Sequence, residues 1–524
     1  MIRINQLKKE ISFDEKNLLN EISNELKINK NDILSFEIVK KSIDARKKTE
    51  CIYYSYVLNV FVKDEKKVKL NNNIVLKEDV KFSYNYILKD RKERPIIIGC
   101  GPSGIFCALE LVKFGYKPII IEQGEEVDKR KSTVEYFFKT GILNEKSNVQ
   151  FGEGGAGTFS DGKLNTSIKD KYNLTNDVLK TFVEFGADES ILYTNKPHIG
   201  TDKLIVILKN IRHYLISNGC DIYFETKMID FSLDDNSVKE VLLQRNDEKF
   251  TLYTDKLILA IGHSAKDTFE LLYNKKVNIE SKSFAVGFRV EHKQELISKN
   301  QYGKFYKMLP PAEYKVTYRS KNKRSVYSFC MCPGGIVVNA SSEKGYLVVN
   351  GMSNSKRDEE NANSAIIVGI SSEDFGEKPL DGLNFIKQIE EKAFNLKNGK
   401  IPIQKFIDFK ENRETKELGK IKPNVLCMTE YANLRGIYPE FIDEAIIEAL
   451  EYFGTKIKGF NYDDVVLSGV ETRTSSPIRI VRDDNYMCSI ANIYVVGEGA
   501  GYAGGITSSA IDGIKLARKI AEND

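Results

Sequence analysis

The sequence predicts an α/β protein with a parallel βαβ domain, an inserted β-rich α+β domain and a small N-terminal α+β domain. Three observations predict it. An apolar run enters a glycine-rich turn near residue 95, a strand-rich stretch without such turns fills residues 284–485, and a second strand-to-glycine turn returns near residue 497. The predicted domains are therefore 1–94, 95–283 with 486–524, and 284–485.

The first glycine-rich turn lies within a complete βαβ unit. The apolar residues Pro95–Ile98 lead into the Gly-x-Gly-x-x-Gly motif of Gly99–Gly104, and residues 105–112 have helical periodicity. A second apolar run, Ile119–Ile121, ends in Glu122. That acid follows the motif by about 20 residues, the spacing at which a carboxylate accepts a hydrogen bond from a ribose.

Each position of the motif has a physical role. Gly99 permits a tight turn, Gly101 lets the backbone approach a pyrophosphate, and Gly104 lets the helix pack against the strand. Pro102 and Ser103 open the helix, whose N-terminus presents free amides and a positive dipole end to phosphates. Together these features predict a Rossmann-type dinucleotide-binding domain.

A strand, a Gly-acid-Gly turn and a helix follow near the C-terminus. Asn492–Val496 is apolar, Gly497 and Glu498 follow it, and Gly505 and Ile506 precede a helical stretch. Here the chain resembles the FAD-dependent oxidoreductases of the glutathione-reductase type that have one Rossmann domain and an inserted substrate domain. The resemblance implies that Glu498, where the family usually has Asp, binds the ribityl chain of FAD. It also implies that the last helix directs its N-terminus at the flavin.

A third glycine-rich segment contains Gly154, Gly155 and Gly157. It matches Gly-x-Gly-x-x-Gly, but no apolar helix follows, so we predict a loop along the flavin whose amides form an anion nest. A plain surface loop is the alternative. With no second Rossmann start, a separate NAD(P) domain is not expected, and NAD(P)H is a candidate electron donor at the flavin.

Several segments resemble a bacterial group of uncharacterised FAD-dependent dehydrogenases. The resemblance implies FAD, with Ala260 and Gly262 at the end of a strand that approaches it, and leaves the substrate unspecified. The matching segments span nearly the whole chain: 42–48, 152–164, 198–202, 262–265, 330–335, 471–477 and 497–506.

Three residues are candidates for catalysis. His263 follows Gly262 and is predicted either as a proton donor near the flavin or as a loop histidine in the cofactor shell. His198 precedes a helix start and is a second candidate acid or base. Arg473 lies in a Thr- and Ser-rich run and could clamp a carboxylate or phosphate, or simply bond the loop.

Two cysteines lie two residues apart in an extended run. Cys330 and Cys332 are predicted to share one face of a strand, either as a flavin-linked dithiol or as two small buried residues. No metal site is predicted, because the chain has only four His and neither CxxC nor HExxH spacing.

Composition limits the remaining alternatives. The 524 residues are 41% hydrophobic and 29% charged, with a net charge of +4, as in soluble globular proteins. Residues 1–94 carry 21 Lys and Arg against 15 Asp and Glu, and their basic run Lys40–Lys48 is predicted as a loop or helix. It is a solvated face or, alternatively, a nucleic-acid contact. Eight scattered Cys, a polar N-terminus and no membrane-length apolar run predict a cytoplasmic protein.

These observations predict an FAD-dependent oxidoreductase, specifically a dehydrogenase that transfers hydride between flavin and a small organic substrate beneath the inserted domain. One alternative is a flavin-dependent RNA-modifying or RNA-binding protein that uses the basic N-terminal domain. Another is a flavin-bound regulatory protein with little turnover. Neither the substrate nor the oligomeric state follows from the sequence.

Overall fold

Three groups of strands and helices make up the structure, a computed structural model that describes residues 1–78, 84, 86–89, 91, 92 and 94–524. The first group forms a four-stranded antiparallel sheet in the order β2-β3-β1-β4. Its elements are β1 (Ile2–Glu10), α1 (Leu18–Leu26), β2 (Ile33–Asp44), β3 (Tyr53–Val62) and β4 (Ile74–Leu76).

Two sequence predictions for this N-terminal unit are wrong in detail. The apolar spacing of residues 13–26 predicts a helix from Phe13, but the α-helix begins at Leu18, because Asp14 caps a short 3-10 turn ahead of it. The basic run is neither a loop nor a helix over its first half, since β2 continues through Lys40 to Asp44 against β3. The polar stretch Lys89–Arg94 is the predicted linker between the N-terminal unit and the domain that follows it. Two of its residues lie outside the described part of the chain.

The second group is built around a five-stranded parallel sheet in the order β23-β11-β5-β6-β7. Four of its short strands are fully buried, which explains their uninterrupted runs of apolar and aromatic residues, whereas β7 at the edge is partly exposed. The elements up to the insertion are β5 (Ile96–Ile98), α2 (Pro102–Lys113), β6 (Ile119–Ile121), α3 (Val127–Thr140), α4 (Leu174–Glu184), α5 (Thr201–Ser217), β7 (Asp221–Tyr223), β8 (Thr226–Asp234), β9 (Ser237–Arg245), β10 (Glu248–Tyr253), β11 (Leu257–Leu259), α6 (Lys266–Asn274) and β12 (Ile279–Ser281).

The third group is a seven-stranded mixed sheet in the order β14-β15-β18-β13-β21-β19-β20, covered by helices. Its elements are β13 (Phe284–Lys293), α7 (Gln294–Tyr302), β14 (Thr317–Arg319), β15 (Ser325–Cys332), β16 (Ile336–Asn339), β17 (Val349–Met352), β18 (Asn361–Ile370), α8 (Ser372–Phe375), α9 (Asp381–Leu396), β19 (Ile401–Lys405), α10 (Phe406–Lys410), β20 (Thr429–Tyr431), α11 (Glu440–Gly454) and β21 (Val466–Glu471).

The chain then returns to the parallel sheet. The last elements are β22 (Ile478–Ile480), β23 (Ile493–Val495) and α12 (Ile506–Asn523). Strands β12 and β22 pair in antiparallel fashion, with Ile279 opposite Ile480, so the chain leaves and re-enters the parallel-sheet domain at neighbouring points. The predicted fold class, a Rossmann-type α/β domain with an inserted β-rich domain and a small N-terminal α+β domain, is confirmed.

Close helix packing holds the sheet's central turn in place. Helix α12 lies against α2, and a Cβ on Gly513 would stand 2.2 Å from the Ser103 carbonyl oxygen.

Among the described residues, no helix has both the length and the apolar character needed to cross a lipid bilayer.

Candidate functional site

A cavity of about 390 Å³ opens where the carboxyl ends of β5, β11 and β23 meet, facing the inserted domain. Ligands of open α/β sheets bind at this edge of the strands. Residues from both domains line it, among them Gly99, Gly101, Pro102, Ser103, Glu122, Gly155, Gly157, Lys163, Ala260, Gly262, His263, Ser264, Cys330, Glu471, Arg473, Glu498, Gly505 and Ile506.

The turn between β5 and α2 has the tight geometry that its glycines predict. Gly99 has a φ of +106°, and a Cβ there would lie 2.3 Å from the Ala260 carbonyl oxygen. A Cβ on Gly104 would lie 2.1 Å from the Gly99 carbonyl oxygen. By contrast, Gly101 has free space toward the cavity and is the N-cap of α2. The helix therefore presents its first-turn amides to the cavity.

Glu122 joins three backbone segments at the cavity wall. Its buried carboxylate accepts hydrogen bonds from the amides of Cys100, Gly124 and Gly152, each at 2.9 Å. The position fits the predicted ribose contact, and the carboxylate also fixes the glycine turn. The sequence did not reveal this second role.

The third glycine segment forms a short 3-10 helix, Gly155–Phe159, rather than the α-helix of a second Rossmann motif. Gly155 and Gly157 line the cavity as predicted, with Gly155 packed against Gly101. Gly154 does not: its amide donates to the Cys100 carbonyl, and a Cβ would meet Leu208 at 2.4 Å. Gly154 thus packs on the side of the loop that faces away from the cavity.

Arg130 holds this loop and was not predicted from the sequence. Its guanidinium is fully buried and donates to the carbonyls of Asn148, Val149 and Glu153 at 2.6–3.0 Å. No local sequence signal distinguishes Arg130 from the other charged residues of α3.

The C-terminal turn separates the roles of Gly497 and Glu498. Gly497 has a φ of +78° and donates its amide to Asp512, and a Cβ on it would meet the Ser103 hydroxyl at 2.5 Å. It therefore serves packing and does not line the cavity. Glu498 does line the cavity, and Gly505 caps α12, whose N-terminus faces the same space.

His263 and Glu498 lie side by side at the cavity. The His263 Nδ1 atom is 3.6 Å from Glu498 Oε2, while its buried Nε2 has no hydrogen-bond partner among the described residues. Burial, followed by the charge of Arg473, lowers the pKa of His263 to about 3, so the imidazole is neutral at physiological pH. Burial raises the pKa of Glu498 to about 7, partly offset by Lys282.

Arg473 lines the cavity, but its donors are already engaged. It forms two 2.9 Å hydrogen bonds to Glu390 and also donates to Ser342 at 2.7 Å and Ser264 at 3.2 Å. Ser264 follows β11, so Arg473 connects the inserted domain to the parallel-sheet domain. This arrangement favours the structural interpretation of Arg473 over the clamp for a substrate anion.

His198 is not brought to the cavity. It forms an isolated antiparallel bridge with Lys163, and its Nε2 lies 3.2 Å from the Ser355 carbonyl oxygen. The ring instead lines a separate pocket next to Lys203. The predicted catalytic role of His198 therefore has no support in the geometry.

Comparisons with known proteins identify related sequences. Residues 283–474 match the family profile "FAD-dependent protein, C-terminal domain-like", and residues 1–61 match "Domain of unknown function (DUF8436)". An uncharacterized protein of Clostridium beijerinckii (strain ATCC 51743 / NCIMB 8052) is 44% identical over 532 residues, covering 99% of this chain and 98% of that protein. The chain therefore belongs to one family with this Clostridium beijerinckii protein, and the part of it that matches an FAD-dependent family model is residues 283–474.

The solved structures that align with this chain have low sequence identity and low TM-scores. The flavin-dependent brominase Bmp2 aligns at 12% identity and a TM-score of 0.37, covering 82% of this chain and 79% of that one. A geranylgeranyl bacteriochlorophyll reductase-like protein of Thermoplasma acidophilum aligns at 12% identity and a TM-score of 0.36, covering 82% and 78%. At such scores the alignments carry no argument about activity.

The cavity residues fit FAD. Gly262 and Gly504 have nothing within 4 Å of where a Cβ would be, which leaves room for a ligand against the backbone. The unpaired Nε2 of His263 and two helix N-termini supply donors to an anionic cofactor. Among the described residues, no group of three or more His, Cys, Asp or Glu is arranged to hold a metal ion.

Proposed function

We propose that this protein is an FAD-dependent oxidoreductase, a dehydrogenase that transfers hydride between flavin and a small organic substrate. The observation that carries the proposal is the cavity between three glycine turns of the parallel sheet and the face of the inserted domain. Cofactor-binding groups line one side of it and inserted-domain side chains line the other. A single Rossmann-type domain of the glutathione-reductase type is consistent with this division.

The chain's residues suggest how FAD would be held. The α2 N-terminus at Gly101–Ser103 would hold the diphosphate through its amides. Glu122 would bind the adenosine ribose, and Glu498 would bind a hydroxyl of the ribityl chain. The N-terminus of α12 at Gly505 would stabilise negative charge near it.

FAD, once bound, supplies the redox chemistry, and the protein supplies position and electrostatics. The imidazole of His263 is neutral at physiological pH, so its unpaired Nε2 can donate or accept one hydrogen bond at the cavity. Arg473 fixes Ser264 beside it and thereby positions the loop.

NAD(P)H is our proposed electron donor, docking at the cavity rather than on a domain of its own. A cytoplasmic location and a small-molecule substrate are part of the same proposal, since all eight cysteines are free thiols. The basic segment gives no comparable support to an RNA role, because Lys41, Arg46 and Lys47 form ion pairs with acids of the same domain.

The test is to purify the protein, release its flavin with acid and identify the released molecule by mass spectrometry. We expect one FAD per chain and reduction of the bound flavin on anaerobic mixing with NADH or NADPH. A colourless protein that takes up no FAD on reconstitution would refute the proposal. A flavin that neither nicotinamide reduces would refute the donor while leaving FAD binding intact.

A further inference from the structure

Two cysteines lie in the cavity wall opposite the parallel sheet. Cys330 is partly exposed and lines the cavity, while Cys332 is fully buried two residues further along β15. The strand's register with β18 shifts between Phe329 and Cys332, and Cys330 has a φ of +42°, which is uncommon for a residue with a side chain. The regular strand expected from the sequence is therefore interrupted by a bulge, a feature that re-aims side chains.

Positive charge and hydrogen-bond donors surround the two sulfurs. Arg289 is fully buried, donates to the Cys330 carbonyl at 3.1 Å and lies 3.7 Å from Cys332 Sγ. Lys163 donates to the carbonyl of the intervening Met331. Two acids oppose this positive charge: Asp161, which pairs with Arg357, and Glu471, which pairs with Arg289 at 2.9 Å.

This environment differentiates the two thiols. The hydrogen bond from Cys332, then the charges of Arg289 and Lys163, lower the pKa of Cys330 to about 5, against burial and Asp161, which raise it. The hydrogen bond to Cys330 and burial raise the pKa of Cys332 well above its usual range. At neutral pH the cavity thus faces a thiolate backed by a thiol, and the thiolate is the nucleophilic form of cysteine.

A second feature shows that the same cavity is arranged for a ligand. The Nε2 atom of His263 is buried in the cavity wall without a hydrogen-bond partner among the residues the structure describes. Leaving a buried donor or acceptor unpaired costs free energy, which a ligand atom in the cavity would recover.

We propose that Cys330 and Cys332 form a dithiol centre that exchanges with an organic disulfide admitted to the cavity. Cys330 is the attacking residue and Cys332 the resolving residue. The reaction involves only these two side chains and the disulfide, so it can be tested whether or not FAD is bound.

Each step balances. The Cys330 thiolate attacks one sulfur of the disulfide RSSR, forms a mixed disulfide and releases RS⁻. That step removes the negative charge of Cys330, which was raising the pKa of Cys332, and leaves Arg289 3.7 Å from the Cys332 sulfur. Cys332 then gives its proton to the RS⁻ released in the first step, which leaves as RSH, and attacks the Cys330 sulfur. The second RS⁻ departs and takes up a proton from water. The enzyme dithiol is oxidised to a disulfide by two electrons, and RSSR is reduced to two thiols.

The first experiment measures thiol reactivity in the protein as purified. Iodoacetamide labelling is followed at each cysteine by mass spectrometry from pH 4 to pH 10. We expect Cys330 to react first, with a midpoint near pH 5. The matched comparison is Cys427, also partly exposed, whose pKa burial raises to about 11. A Cys330 that labels no faster than Cys427 at pH 7 would overturn the proposal.

The second experiment uses 2-hydroxyethyl disulfide as the oxidant. Wild-type protein should lose two hydrogen atoms and yield a Cys330–Cys332 peptide, and Cys332→Ser should instead retain a 2-mercaptoethanol adduct on Cys330. Cys330→Ser should give neither product, and Cys427→Ser should behave as wild type. Wild-type protein that is oxidised without forming a bond between Cys330 and Cys332 would overturn the proposal. Because this result is read on wild-type protein, it counts even if a variant fails to fold. A protein that binds no FAD but forms the bond would refute only the proposed flavin function.

Discussion

Arg473 and Glu390 form a two-point ion pair behind the cavity, with Nε–Oε1 and Nη2–Oε2 distances of 2.9 Å each. Both side chains are buried, and Lys266 approaches the same carboxylate to 3.3 Å. Two cations thus share one acid, and their charges hold the pKa of Glu390 at about 2 despite its burial. Arg473 also donates a hydrogen bond to Ser264, so this buried ion pair is connected to the parallel-sheet domain.

Glu390→Gln should destabilise the protein strongly. The substitution leaves the buried Arg473 without its ion-pair partner, while Lys266 retains Glu343 at 3.0 Å; removing one partner of a buried ion pair typically costs about 3–5 kcal/mol. Chemical denaturation at neutral pH measures the free energy of unfolding. The control is Glu295→Gln, which removes only an exposed helix-surface pair with Lys299 and should change little. Equal losses in both variants would contradict the anchoring role of Glu390.

Gly262→Ala should weaken FAD binding without unfolding the protein. Gly262 has a φ of +68° with open space around its Cβ position, and it lines the cavity. The matched control is Gly345→Ala, which has a φ of +83° and equally open space away from the cavity. Each substitution should cost the cofactor-free protein about 1–2 kcal/mol of backbone strain. Only Gly262→Ala should raise the dissociation constant in a fluorescence titration with FAD.

His263→Ala should slow flavin reduction, whereas His198→Ala should not. Loss of one hydrogen-bonding group at a reacting centre typically lowers rates by about 10²–10³, and of the two histidines only His263 faces the cavity. Anaerobic stopped-flow reduction gives the rate, and acid-released flavin gives the FAD content of each variant. If His263→Ala retains both FAD and the wild-type rate, the residue is part of the cofactor shell alone.

Glu498→Gln should stabilise the cofactor-free protein more at pH 8 than at pH 5. The pKa of Glu498 is about 7 in the folded protein, whereas an unfolded chain has a glutamate pKa near 4.3. Between these values the folded state binds the extra proton, so this carboxyl lowers stability as pH rises through the window. The difference in unfolding free energy between variant and wild type should therefore grow from pH 5 to pH 8. Glu411→Gln, at an exposed site, is the control and should show no such trend.

The sequence predicted local structure well where periodicity and turn chemistry act over a few residues. The helical periodicity of residues 201–217 and the alternation of residues 53–62 predict a helix and a strand, and α5 (Thr201–Ser217) and β3 (Tyr53–Val62) have those bounds. The glycine turn at Gly99 also has the predicted geometry, because its requirement for positive φ is local.

Contacts between distant residues were not predictable in this way. Arg289 pairs with Glu471, 182 positions away, and Arg473 pairs with Glu390, 83 positions away. Nothing in the periodicity of either segment specifies its partner. The same limit explains His198, which lies in a promising segment although the fold directs its ring toward Ser355.

The pairing of β12 with β22 has a consequence for how this protein can diverge. Because the two ends of the inserted domain lie side by side, a different domain could take its place without a change in the path of the chain through the parallel sheet. Different substrate-binding domains could therefore lie over the same cofactor-binding residues.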